Sequence, residues 1–179
     1  EVLESYGYYV STPLPNDAEI VWACQVSQWF LDSVPFPGYL LDCGQRLLAW
    51  NMFFLKAVGM RPGSAVSTRL RGLSILSMIF DEQYQVVGLT QNPDVFFPPM
   101  ARIFQRELRP YSHEEWCQEL IADALETLPL FRKYWTGMQH DDLQELAARA
   151  VVPLHVSLPG GTVLQFRLAV EYFLRDSRF

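Results

Sequence analysis

Arg102, Arg106 and Arg109 stand at positions i, i+4 and i+7 of a segment with helical periodicity, so three guanidinium groups share one face. A guanidinium presents its donors in a planar fork, and such a row can hold a carboxylate bidentately or form an interface. Arg69 and Arg71 are weaker candidates for the same work. The three histidines form no comparable constellation. His113 falls in the first turn of a helix and His155 alternates onto the polar side of a strand. His140 lies in the loop Met138-Gln139-His140-Asp141-Asp142, where two adjacent aspartates suit turn capping and solubility better than a metal site. The chain has no G-x-S-x-G elbow, phosphate loop, H-E-x-x-H motif or Cys–His pair at an informative spacing. The expected chemistry is therefore binding: no enzyme, no metal and no cofactor, with Arg102, Arg106 and His155 as candidates for holding a polar head group.

The apolar residues say what would be bound. Phe53, Phe54, Phe80, Phe96, Phe97, Met100, Phe104 and Phe166 exceed what a small core requires, and Met and aromatic side chains line adaptable apolar cavities well. The expected lining draws on Trp50, Phe54 and Val58, on Leu76, Ile79 and Phe80, on Phe96, Met100 and Phe104, and on Phe166, Leu168 and Val170. An acyl chain of about a dozen carbons offers on the order of 10 kcal/mol gross at ~0.8 kcal/mol per buried methylene, less several kcal/mol of association cost. Micromolar binding would then need no strong head-group contact.

Elements must bring these residues together. Asn16 or Asp17 can cap a helix running to about Ser33, and Val34-Pro35-Phe36-Pro37-Gly38 ends it. Tyr39 to Leu41 and Leu47 to Trp50 read as a hairpin around a polar turn in which Gly44 takes positive φ. Asn51 then caps a helix that Gly59 closes. Leu70, Leu73, Leu76 and Phe80 fit a helical face, and Tyr84 to Leu89 fits a helical turn or a short strand. Pro98 and Pro99 are expected to open the helix that carries Met100, Ile103, Phe104 and Leu108. Ser112 and Glu115 have the spacing of a capping box ahead of Trp116, Leu120, Ile121 and Leu128, and Pro129 starts a further short helix. From Leu154 the period changes to two: Leu154, Val156 and Leu158, then Leu164, Phe166, Leu168, Val170 and Tyr172, alternate with polar residues around Pro159-Gly160-Gly161. Hairpin, helices and hairpin in that order predict an α+β fold, an antiparallel sheet with helices packed on one face.

Composition narrows the setting. The 179 residues suit one domain, and 50% apolar with 14% aromatic content argues for a packed interior. A formal net charge of -6 makes the chain by itself a poor partner for a phosphate backbone. Three widely spaced cysteines read as reduced thiols, and no apolar run reaches the ~18 residues of a membrane span, so the expectation is a cytoplasmic protein. Because the chain opens on Glu1, a preceding partner domain is expected.

The runs LLDCGQRLLAWN, LSILSMIFDEQY, PPMARIFQREL, SHEEWCQELIADALETLPLFRKYW and LHVSLPGGTVLQFRLAVEYF, taken in order, resemble the ligand-binding domain of MmyB-like bacterial transcription regulators. The resemblance covers most of the chain from Pro37 onward, with Arg71-Gly72 where the family often has Arg-Asn. It implies a PAS-like domain over residues 16–179, with residues 1–15 as a linker or arm, that binds a fatty acid or similar apolar ligand behind an N-terminal helix-turn-helix. DNA would be reached only through that attached domain, and no membrane is involved. A homodimer is expected, with the Asp17 to Ser33 helix and the Tyr6 to Val10 arm in the contact. The alternative is a ligand-free PAS-like module used for dimerisation or protein interaction.

Overall fold

Asn16 opens the first helix by closing a capping box. Its side-chain oxygen accepts from the N–H groups of Ala18 and Glu19 at 3.0 and 3.1 Å, while the Glu19 carboxylate accepts from the Asn16 N–H at 2.9 Å. The helix, α1, spans Asp17–Ser33 as its capping signal and spacing predict. The computed structural model describes residues 11–60, 63, 69–136, 152–157, 161, 163–168 and 178. The expectations for the Tyr6 to Val10 arm, the His140 loop, Leu158, Val170 and Tyr172 lie outside the described residues.

The hairpin follows as β1 (Tyr39–Leu41) and β2 (Leu47–Trp50), paired antiparallel. Tyr39 faces Trp50, Leu40 faces Ala49 and Leu41 faces Leu47, so Leu48 is the extra residue of a bulge. The bulge turns Leu48 to the same side as Ala49. Leu40, Leu48 and Ala49 pack against Ala23, Cys24 and Leu31 of α1, and Tyr39, Leu41, Leu47 and Trp50 pack against the main core on the other side. Both faces of this hairpin are covered.

The turn differs from the expectation in one residue. Gln45, not Gly44, has the positive φ, at 60°. Gly44 is needed for space instead, because a Cβ there would lie 2.8 Å from Leu14 Cδ2. Asn51 caps α2 (Met52–Ala57) by accepting from the Phe54 N–H at 3.0 Å. The helix closes in a Schellman motif in which Gly59, at φ 71°, donates to the Lys56 carbonyl and Met60 to that of Leu55.

Helices α3 (Ile75–Phe80) and α4 (Gln85–Leu89) follow, but of the expected helical face only Leu76 and Phe80 are in α3. Leu70 and Leu73 lie in the turn before it, where Gly72 has φ 83° and the Leu73 carbonyl accepts from the Leu47 N–H at 2.8 Å. Helix α5 spans Pro93–Leu108, starting earlier than the proline pair suggests. Pro98 and Pro99 sit inside it and leave the carbonyls of Asp94 and Val95 without intrahelical donors. Both residues are exposed, so water can reach those carbonyls. Arg109–Tyr111 continues as a 3-10 turn, and α6 (Glu115–Thr127) and α7 (Pro129–Thr136) follow. The expected Ser112–Glu115 capping box does not form. Ser112 closes the 3-10 turn and Glu114 stands at the N-cap, its carboxylate taking the Thr12 N–H and the Ser11 hydroxyl.

Strands β3 (Val152–Ser157) and β4 (Val163–Leu168) form the closing hairpin, with Gly161 at φ 83° in its turn. Segment 90–92 lies along the edge of β3. Thr90 bridges Val156, the Gln91 N–H donates to the His155 carbonyl at 2.8 Å, and the Asn92 side chain accepts from the His155 N–H and donates to the Pro153 carbonyl. An Asn amide here does the work of a strand peptide group. The fold is mixed α+β, and among the described residues the strands form two antiparallel two-stranded sheets. The β1–β2 hairpin is apolar on both faces and takes α1 on one of them. No helix among the described residues is long and apolar enough to cross a membrane.

Candidate functional site

The main core is where the expected lining residues meet. Phe54 of α2, Leu76, Ile79 and Phe80 of α3, and Phe96, Met100 and Phe104 of α5 belong to one buried cluster, and Trp50 of β2 and Val58 pack against it. Phe166 and Leu168 lie in β4, opposite Leu154 and Val152. Val152 is buried in the cluster and Leu154 packs on it, which brings the closing hairpin to the same site.

Phe80 is the centre. Its ring lies 5.7 Å from Phe97, 6.1 Å from Phe104 and 5.2 Å from Phe131, in tilted or edge arrangements suited to aromatic quadrupoles. Phe131 and its neighbour Trp135, 4.9 Å apart, were not among the expected lining residues. Their i, i+4 spacing in α7, directly after Leu128, is the signal that marks them. Tyr134 stacks on Phe97 from the same helix.

The head-group candidates stand apart from this cluster. On α5 the buried residues Phe97, Met100, Ala101, Phe104 and Leu108 make one face. Arg106, two residues on from Phe104, projects about 200° around the helix and pairs with Glu107 at 3.0 Å. Arg102 is half-buried on the same outward flank, and Arg109 is exposed. His155 is half-buried, and its backbone groups tie β3 to Gln91 and Asn92. Arg102 and Arg106 stand one turn apart on α5, and His155 lies on β3.

A polar cluster sits instead at the β1–β2 turn. The Asp42 carboxylate is fully buried and accepts from Arg46 Nε at 2.6 Å and from the Arg46 N–H at 2.9 Å. Burial pushes the Asp42 carboxyl up, and the Arg46 donors and charge pull it back. Next to it the Cys43 N–H donates to the Arg178 carbonyl at 2.7 Å, and the Arg178 guanidinium grips the Glu19 carboxylate at 2.8 and 3.1 Å. Residue 178 is thus joined to the turn and to the capping box of α1.

All three thiols are held protonated. Burial and the Asp42 charge push Cys43 up to about 12. Burial raises Cys24, with Arg71 opposing, and burial and Glu114 raise Cys117. A thiol reacts as a nucleophile through its thiolate, and burial works against that form at all three. Among the described residues no three His, Cys, Asp or Glu side chains group as a metal site.

Comparison with protein-family models and with curated proteins finds no match to this chain.

Proposed function

We propose that the chain is a PAS-like sensor domain of a transcription regulator, non-catalytic, that binds a fatty acid or similar apolar small molecule and passes its occupancy to an attached helix-turn-helix domain. One observation carries the reading: nine of the residues expected to line an apolar site, separated by up to 54 positions from Trp50 to Phe104, meet in a single aromatic and Met-containing cluster. The resemblance to MmyB-like regulators supplies the ligand class and the DNA-binding partner. A ligand acts on such a module by favouring one arrangement of its helices over another, and equal affinity for both would shift nothing.

The ring contacts around Phe80 favour a second reading, a ligand-free module for dimerisation or protein interaction, because side chains in mutual contact at 5.2 to 6.1 Å fill the interior themselves. Titration with a fluorescent long-chain fatty acid separates the two. Saturable binding that Phe104→Trp weakens supports the sensor, and no binding by folded protein supports the interaction module.

A further inference from the structure

Residues Ala18, Trp22, Gln25, Trp29 and Asp32 of α1 follow one another at spacings of four, three, four and three, and all five are exposed. That is the spacing of the seam along which one helix packs lengthwise on another. Trp22 is 50% and Trp29 64% exposed, Trp29 with its ring edge-on to Phe30 at 6.1 Å, and Val21 beside them is 52% exposed. The opposite face of α1, with Ala23, Cys24, Ser27 and Leu31, is the one buried. Small residues there let α1 lie close on β2, which leaves both indoles on the outside.

Charge and area decide what fits. Helix α1 carries Asp17, Glu19 and Asp32 and no Lys or Arg, and Asp32 stands in the seam near the carbonyl end, where the helix dipole is also negative. Glu19 is matched by Arg178, whereas Asp32 accepts from the neutral Gln28 side-chain amide at 2.9 Å and Asp17 stands exposed beside Ala18 at the other end of the stripe. Two copies of α1 would bring like net charges together in either orientation. The exposed halves of two indoles offer roughly 250 Å² together, a patch that suits a weak, transient contact with one helix and falls short of the about 800 Å² per partner of a standard stable interface. We infer that the outward face of α1 docks a basic amphipathic helix of a partner protein, with apolar residues on Trp22 and Trp29 and a Lys or Arg opposite Asp32. The inference does not depend on the ligand reading, since this face lies away from the main core.

The full chain would be tested against two synthetic 21-residue helical peptides with Leu at both seam positions and either Lys or Glu at every flanking position, using the indole N–H signals of the protein by NMR. The Lys peptide should bind and shift Trp22 and Trp29, and the Glu peptide should bind at least about tenfold more weakly. Trp22→Ala should weaken the Lys peptide about tenfold, and Asp32→Lys should shift the preference toward the Glu peptide. No binding of either peptide, or equal binding of both, overturns the inference. So does a particle of twice the 20.7 kDa chain mass that Trp22→Glu dissociates, which would assign the face to a second copy.

Discussion

Asn51 does more than cap α2. Its amide nitrogen donates to the carbonyls of Leu31 and Phe36 at 2.9 and 2.8 Å, and its oxygen accepts from the N–H groups of Gly38 and Phe54 at 3.1 and 3.0 Å. One buried side chain therefore joins the end of α1, the approach to β1 and the start of α2. Asn51→Ala leaves these backbone groups without partners and should cost about 2 to 4 kcal/mol in urea denaturation. Asn51→Asp should be no better, because it sets an acceptor against two carbonyls. The N-cap role was legible from Asn51 preceding an apolar run, but the two carbonyl contacts were not, since they depend on how α1 comes back over the hairpin. Cys43 gives a test by pH. Its thiol titrates near the ordinary 9.0 when unfolded and at about 12 when folded, so between those values the unfolded chain has lost a proton that the native state keeps. Stability from this group is full below pH 9 and is lost as pH rises toward 12. The stability of Cys43→Ala should fall less steeply with pH over that window, and an identical slope in thermal unfolding of both proteins would refute the account.

At the scale of elements, capping and turn chemistry read well and context overrode them in specific places. The α1 capping box, the Gly59 closure and the Pro129 start are local, fixed by residues within a few positions of one another, and the structure has all three. Ser112 and Glu115 have the same local signature, yet Glu114 is claimed by Ser11 and Thr12, about a hundred residues away in sequence. Pro98 and Pro99 look like a first turn, yet α5 starts at Pro93, and exposure of Asp94 and Val95 makes the proline pair tolerable inside the helix. The Glu19–Arg178 contact was also invisible in sequence, since nothing near either residue points to the other. Glu19→Ala removes both the capping-box acceptor and the Arg178 ion pair and should cost about 1 to 2 kcal/mol, with faster hydrogen exchange in the first turn of α1. Glu19→Gln keeps the acceptor and should recover part of that loss. Gly44→Ala drives a methyl into Leu14 Cδ2 and should cost about 1 kcal/mol, since the clash is with the end of a side chain that can turn away.

For the whole molecule, the apolar stripes of α2, α3 and α5 identified most of the central cluster because helical and strand periodicity reports which face is buried. Phe131 and Trp135 escaped because α7 is short and its basic residues Arg132 and Lys133 mask the stripe. Arg102 and Arg106 share one side of α5, with Arg109 in the 3-10 turn that follows, and that side was legible only relative to Phe104 and Met100, which turn it outward. Phe80 holds the cluster together, and Phe80→Ala should destabilise the fold by about 3 to 5 kcal/mol in chemical denaturation. Phe104→Trp should overpack the same cluster at about 1 to 3 kcal/mol while leaving the chain folded, which makes it the control for any ligand bound there. The central claim is that this cluster takes up an apolar ligand, and the most direct measurement is mass spectrometry of the purified protein, first native and then after denaturing extraction. The account predicts a long-chain apolar molecule bound at about one per chain in the native spectrum, released on denaturation and missing from Phe104→Trp. A native spectrum at the bare 20.7 kDa mass, with no such molecule in the extract and no uptake of added fatty acid, would contradict it.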